Sequence, residues 1–462
     1  MLPALLRDGR ALAALAVPLV LTQLAQVALT TTDTVMMGLL GTGELAAGGL
    51  ALVIFNQIRT MGVGLGTAAG NQIAAAAARA EQANGSAPAE HGHAEIRAIV
   101  RASLAVATLT GVAGAAAMVL IGHLLPRLGQ DAAVVDLTRT LLYALAPGLL
   151  PCLWFQAIRQ FTVGMRRPQA LLRITLASIA VNAGLDWALI HGALGLPRLG
   201  LTGIGVATSA VHLLSFLALY LTARRDDELA PFLTLDITRA DAATLRRLLG
   251  LGVPIAATYG SEAGFFFVTA LMAGSFGPDA LAAHTAVNQL VYIVFQVAVG
   301  LSHAASINVS RELALGNDDG PRRVRNTALA CAAAVMTVVG LGYLTLPRLL
   351  LTPFLDTGSD RALTIATHLL AVTAFLQFFD CAQNIGVGLL RGLGDTKSGF
   401  RITLIGYWAI GLPSAWLFAH TLDLDTVGIW LGLLTGLAAT AVLLLHRYNT
   451  TLTTAHPQHP PT

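Results

Sequence analysis

The sequence predicts an all-α polytopic membrane protein of about twelve transmembrane helices, in two six-helix bundles related by a pseudo-two-fold axis along the membrane normal. Three observations carry that prediction. The 462 residues are 55% hydrophobic and 11% charged, a composition of membrane proteins rather than of soluble domains. The chain breaks into apolar runs of about 20 residues, the length needed to span a bilayer as helix. It also repeats itself at a fixed offset, so that one half predicts the other.

Read in order, the apolar runs are Leu12–Met37, Leu45–Ala74, Ala98–Leu120, Val134–Ile158, Ala170–Ile190, Leu201–Leu221, Leu248–Gly274, Leu281–Val309, Thr327–Leu346, Leu363–Leu390, Phe400–Ala419 and Val427–Leu445. Several exceed a straight span, which implies tilt, bending or extension past the membrane. The first is too long for the apolar core of a signal peptide and lacks a small-residue cleavage site, so a retained helix is expected. Loops on one side collect Arg79, Arg97, Arg166, Arg167, Arg224, Arg225, Arg247, Arg323, Arg391 and Lys397, whereas the other side has Arg127, Arg198, Arg348 and Arg361. Basic residues stay on the cytoplasmic side, so both termini are expected there. That asymmetry explains the net charge of +3 without nucleic acid as a partner.

The repeat is seen at an offset of about 236 residues. Pro18 meets Pro254, Gly38 meets Gly274, Gly41 meets Gly277, and Leu45–Ala47 meets Leu281–Ala283; a second echo pairs Arg173–Thr175 with Arg401–Thr403. Each half therefore holds six helices in the same orientation: residues 1–222 form an N-terminal lobe, 223–246 a cytoplasmic connector and 247–462 a C-terminal lobe. Arg224–Glu228 reads as a solvated stretch of that connector. Pro18 and Pro254 each remove a helical hydrogen-bond donor and make either a hinge or a static bend.

Four carboxylates fall inside apolar runs: Asp33, Asp186, Glu262 and Asp380. An ionised side chain at mid-bilayer costs roughly 2.5–3.5 kcal/mol on insertion scales, so such residues line a polar cavity or bind an ion. The repeat sharpens the point. Glu262 aligns with Gln26, Asp380 with Cys152 and Asp33 with Thr269, so the shared scaffold folds without an acid at these positions. Glu262 and Asp380 are expected to form one acidic site in the C-terminal lobe. Asn182 and Asp186, four residues apart on one helix face, are expected to join Asp33 in the N-terminal lobe.

No GxxxxGK[ST] phosphate loop is present, which removes an ATP motor from this polypeptide. Gly62, Gly64, Gly66 and Gly70 sit within an apolar span and read as close helix packing. Cys152, Cys331 and Cys381 lie in helices without metal spacing. His91 and His93, in the expected loop from Glu81 to Arg97, read as part of a solvated linker. His303, at the repeat position of Thr67, is either a proton relay or a packing residue. Arg59, next to Asn56 and Gln57 inside the second run, pairs with an acid or amide, points into an aqueous cavity, or marks a misplaced helix boundary.

The segment Pro18 to Ala47, PLVLTQLAQVALTTTDTVMMGLLGTGELAA, resembles the first-helix signature of the multidrug and toxic compound extrusion (MATE) transporters, with an Asp–Thr pair before Met–Gly and a Leu–Ala–Ala helix start. Pro254–His284 and Asp380–Thr396 (DCAQNIGVGLLRGLGDT) carry the matching C-terminal patterns. The likeness is closest to the NorM-type bacterial branch. It implies efflux of bulky, mostly cationic or amphipathic drugs, driven by inward Na⁺ or H⁺ with no other cofactor, by a monomer in the bacterial inner membrane. It assigns Glu262 and Asp380 to cation coupling, with Na⁺ held there if Na⁺ is the ion, and Asp33 with Asn182 to a proton or substrate site. Asp186 stands where Asn is usual, and Leu376 replaces an aromatic one turn before Asp380. Two other classes compete with this reading. A lipid-linked precursor flippase would carry extra helices and a cationic cavity, and an intramembrane enzyme would show GxGD or YD flanks that are absent.

Overall fold

The computed structural model describes residues 2–83, 87–128, 132–193, 195–355 and 360–455. Among these residues there is no β-strand, and twelve helices are long and apolar enough to cross a membrane. They are α1 (Leu2–Leu40), α2 (Thr42–Gln82), α3 (Ala87–Leu124), α4 (Ala132–Gly164), α5 (Gln169–His191), α6 (Leu201–Arg224), α7 (Ala242–Gly274), α8 (Pro278–Ala314), α9 (Gly320–Thr345), α10 (Asp360–Gly392), α11 (Thr396–Thr421) and α12 (Asp425–Ala455). Large apolar side chains face outward along them, Leu39 and Val338 being 78% and 72% exposed. A soluble protein would bury such residues; lipid explains them.

The helices outrun the apolar runs at several ends. The stretch from Glu81 to Arg97, expected as a loop, is mostly helix: α2 continues to Gln82 and α3 begins at Ala87. Alanine-rich sequence favours this, and Arg79 pairs with Glu95 at 2.8 Å across the two ends. The connector is also more anchored than a solvated loop. Leu229 and Phe232 are buried, the Phe232 ring lies 5.1 Å from that of His93, and Arg167 pairs with Asp226 at 2.9 Å and with Glu228. Two apolar side chains in a charged segment were enough to dock it.

By packing, the chain divides into two compact units, one of Leu21–Ala256 and one of Met1–Val20 with Ala257–Thr462. The divisions fall two residues after Pro18 and two residues after Pro254, at equivalent points of the repeat. The repeat is visible in the backbone too. Gly41 and Gly277, just before α2 and α8, have φ of 149° and 104°, which a side chain would resist. Each accepts the same helix-opening bond, Leu45 N–H to Gly41 O at 3.0 Å and Leu281 N–H to Gly277 O at 3.1 Å.

Within each unit the fourth helix of the repeat is the hub. In the first unit α4 packs on α2, α3 and α6; in the second α10 packs on α8, α9 and α12. Small residues let these backbones approach. A Cβ at Gly392 would come within 2.8 Å of Ser306 O, and Ser302 Oγ donates to Asn384 O at 2.7 Å while Ser310 Oγ donates to Gly392 O at 2.9 Å. Around Pro413, α11 widens into π-helical turns over Ile405–Gly411 and Leu417–Thr421. A missing N–H and the ring's bulk favour the wider turn.

Asp395 caps α11. It accepts from Ser398 N at 3.2 Å, and from Arg447 Nε at 3.0 Å and Nη2 at 2.9 Å. Partial burial pushes this carboxyl upward, but the Ser398 bonds and the Arg447 guanidinium outweigh it and hold it below the usual carboxylate range. A depressed acid adds stability above its unfolded pKa, and loses it as pH falls through the folded value. Wild-type protein is therefore expected to lose thermal stability as pH drops below about 4, and Asp395→Asn to be less stable at neutral pH with a flatter acid slope. An unchanged slope in detergent-melting curves would remove Asp395 from the pH response.

Candidate functional site

The structure brings Glu262 and Asp380 together. Glu262 projects from α7 and is half-buried, Asp380 projects from α10 and is buried, and the two carboxyls are near enough for their charges to repel. Tyr407, on the π-helical part of α11, donates to Glu262 Oε1 at 3.3 Å. Its ring stacks on Phe265 with centroids 5.0 Å apart and planes 9° from parallel. Asn384 Nδ2 reaches Asp380 Oδ1 at 3.2 Å and its carbonyl at 3.0 Å, and Gln383 also bonds the Asp380 carboxyl. Carboxylate, amide and phenol oxygens are the donors that a hard cation prefers, and the same pair can hold a proton.

A cleft beside these groups leaves about 20 Å³ for the centres of water molecules. That is room for a water or a bare cation, far too little for a drug. Tyr259, Glu262, His303, Gln383, Asn384 and Arg391 line it. Arg391, expected among the cytoplasmic loop cations, is buried, with Nη2 3.4 Å from Tyr259 Oη. The reason is helix length. Because α10 runs to Gly392, residues 380, 384, 387 and 391 share one face.

In the first unit, α1 supplies Asp33, α5 supplies Asn182 and Asp186, and α6 supplies Thr208. All four are buried. The Asp33 carboxyl contacts Asp186, Asn182 and Thr208, and Thr208 Oγ1 donates to Asp33 Oδ2 at 3.2 Å. Asp33 Oδ1, both Asp186 oxygens and the Asn182 amide lack a well-aligned hydrogen-bond partner among the described residues. Two carboxylates served by one hydroxyl are costly when both are ionised. A proton or cation relieves the pair.

Each expected site is thus assembled, from helices distant in sequence. Tyr407 and Thr208 were not anticipated, because nothing local to either marks its partner. Gln383 and Asn384 were open to inference, one turn beyond Asp380. Arg59 lies within α2 as its apolar context implied, with Nε donating to Asn56 Oδ1 at 3.2 Å one turn earlier. Among the described residues no group of three or more His, Cys, Asp or Glu side chains is placed to hold a metal ion.

Acidic clusters buried in lipid-facing helices, one in each unit of a repeated scaffold, define the class: a multi-pass membrane transporter. Comparison with known proteins narrows this. The MatE family profile matches residues 18–188 and again 254–417, beginning at Pro18 and at Pro254. The chain is 35% identical over 440 residues to the probable multidrug resistance protein NorM of Pseudomonas aeruginosa, covering 94% of this chain and 87% of the relative. It is 36% identical over 443 residues to the protein of the same name in Bradyrhizobium diazoefficiens, covering 94% and 92%. The chain belongs to the MatE family. Its fold is that of solved members: an outward-facing multidrug resistance MATE transporter (TM-score 0.86, 18% identity, 97% of both chains) and a eukaryotic MATE transporter (0.82, 20%, 98% of both).

The two carboxyls of the α7–α10 pair differ in access. A small hydrophobic carbodiimide is expected to modify Glu262, which lines the cleft, well ahead of Asp380, which is 2% exposed. Peptide mass spectrometry reads the difference. Equal labelling of both acids would contradict the geometry.

Proposed function

We propose that this protein is a cation-coupled multidrug efflux antiporter of the NorM type, exporting bulky cationic or amphipathic compounds by alternating access in exchange for Na⁺ or H⁺. The observation that carries the proposal is the convergence of Glu262, Asn384 and Tyr407, from three helices, on a cleft of cation size, with Asp380 buried nearby and held by Asn384. The names of the relatives support the cargo. The basic-residue asymmetry supports a bacterial inner-membrane location with both termini cytoplasmic. Pro18 and Pro254, beside the divisions between the packing units, are proposed as the hinges.

The mechanism follows from electrostatics and needs no covalent step, so the protein is proposed not to be an enzyme. An acid pair in an apolar surround is relieved by a cation or a proton, and, in a conformation that opens the cleft, by a cationic drug. Where the two exclude one another, loading the ion from outside favours release of drug outward, and releasing the ion inside resets the carrier. Each charge carried inward across 100 mV releases roughly 2.3 kcal/mol, enough for a several-tenfold drug gradient under tight coupling.

Uptake of a fluorescent cationic dye into everted vesicles, under a Na⁺ gradient alone and then a pH gradient alone, tests coupling and names the ion. Glu262→Gln and Asp380→Asn are each expected to cut the initial rate at least about tenfold while leaving folded protein in the membrane, and the double variant to be hardly worse than either. Wild-type rates in either variant would overturn the assignment, and clean additivity would mean two separate sites. Asp33→Asn is expected to reduce transport more than it reduces the amount of protein in the membrane. Equal losses would make Asp33 structural.

A further inference from the structure

The cleft beside Glu262 holds both signs of charge. Among the described residues that line it, Glu262 is the carboxylate and Arg391 the fixed cation, with His303 able to take either form and the phenols of Tyr259 and Tyr407 between them. Asp380 is buried close by. Arg391 is the last residue but one of α10, a position from which a long side chain ordinarily reaches out to the membrane surface. It is instead 5% exposed and turned inward. Its Nη2 donates to Tyr259 Oη at 3.4 Å, and its guanidinium carbon lies 6.0 Å from the centre of the Tyr259 ring. Tyr259 and Glu262 are three residues apart on α7 and share one face.

The repeat separates what the scaffold requires from what is particular to this cleft. Gly392 and Gly164 are equivalent, and each lets its helix close on an equivalent carbonyl, Ser306 O in the second unit and Gly70 O in the first. The residue before them is Arg391 in one and Val163 in the other, so this closure needs no cation. Gln23 aligns with Tyr259, and it too accepts from an arginine of the hub helix, Arg159 Nη2 at 3.1 Å. Docking an arginine on this position is therefore common to both units. Only the second unit offers that arginine a carboxylate one turn on, where the first has Gln26.

We propose that Arg391 is a tethered competitor for the coupling ion, its guanidinium alternating between the Tyr259 hydroxyl and the Glu262 carboxylate. The cleft has room for one small cation, so ion and guanidinium exclude one another at Glu262. A charge-assisted bond to a carboxylate is roughly twice as strong as a bond between neutral groups, and the guanidinium fork matches a carboxylate better than a phenol. An ion that leaves Glu262 uncovers a charge in a low-dielectric site. Arg391 covers that charge and so favours release, at the end of α10 that leads into Lys397 and Arg401. An arriving ion sends the guanidinium back to Tyr259, where it rests against the ring. The inference rests on the reading of Glu262 as the ion site, but the exchange of partners needs neither a gradient nor a cargo, which separates the two tests.

The experiment uses the full-length protein in lipid nanodiscs, in a choline buffer without Na⁺ at one fixed pH, and a hydrophobic carbodiimide as the probe. The reagent attacks a free carboxylic acid, and a carboxylate held by guanidinium is withheld from it. Peptide mass spectrometry reads the rates at Glu262 and Asp380. Arg391→Gln is expected to speed modification of Glu262 about tenfold, and Arg391→Lys, which keeps the charge but loses the fork, to speed it less. Tyr259→Phe, which removes the resting partner and leaves the ring, is expected to slow it about threefold by sending Arg391 to the acid. Opposite signs for the two variants are the signature of exchange. An unchanged Glu262 rate in Arg391→Gln, an equal rise at Asp380 from general loosening, or a rate in Tyr259→Phe that is unchanged or faster would each overturn the proposal. If Arg391→Gln does not fold, Tyr259→Phe decides alone. Wild-type protein that moves no dye under either gradient, with both shifts present, would leave the exchange standing and remove only the efflux reading.

Discussion

Everything in this molecule is arranged around the price of charge in a bilayer. Hydrocarbon cannot hydrate an ion, so backbone polarity is satisfied inside helices and large apolar side chains such as Leu39 and Val338 point outward. Against that background the carboxylates stand out as chemistry rather than solubility. Each sits where side chains from other helices meet it: Tyr407 and Asn384 at the Glu262–Asp380 pair, Thr208 and Asn182 at the Asp33–Asp186 pair.

The scaffold holds those groups by close packing of a hub helix. Ser302 and Ser310 tie α8 to the carbonyls of α10, fixing the helix that carries Asp380 and Asn384. The π-helical turns of α11 place Tyr407 over Glu262, and its stack on Phe265 limits where the phenol can go. Packing of this kind has discrete alternatives rather than a continuum. It therefore suits a carrier whose site must change exposure in steps.

Use of one scaffold twice explains why the two halves can diverge. Gly41 and Gly277 keep the same turn, and Pro18 and Pro254 the same interruption, because the backbone geometry requires them. Side chains that face the interior are under no such requirement. Gln26 and Cys152 occupy the positions that Glu262 and Asp380 occupy in the other half, and the first unit has its acids elsewhere, on α1 and α5.

By itself the sequence determined the helices, their number, the repeat and the four acids, because each is a local or periodic signal: apolar length, proline and glycine at a fixed offset, charge within an apolar run. Asn182 and Asp186 could be placed together for the same reason, four residues apart on one helix. Tertiary structure alone decided that Tyr407 serves Glu262 and Thr208 serves Asp33, since those pairs are separated by 145 and 175 residues. It also moved Arg391 from a loop into the cleft and docked the connector through Leu229 and Phe232. Helix ends and interhelical partners depend on packing against remote chain, and no window of the sequence contains both sides of such a contact.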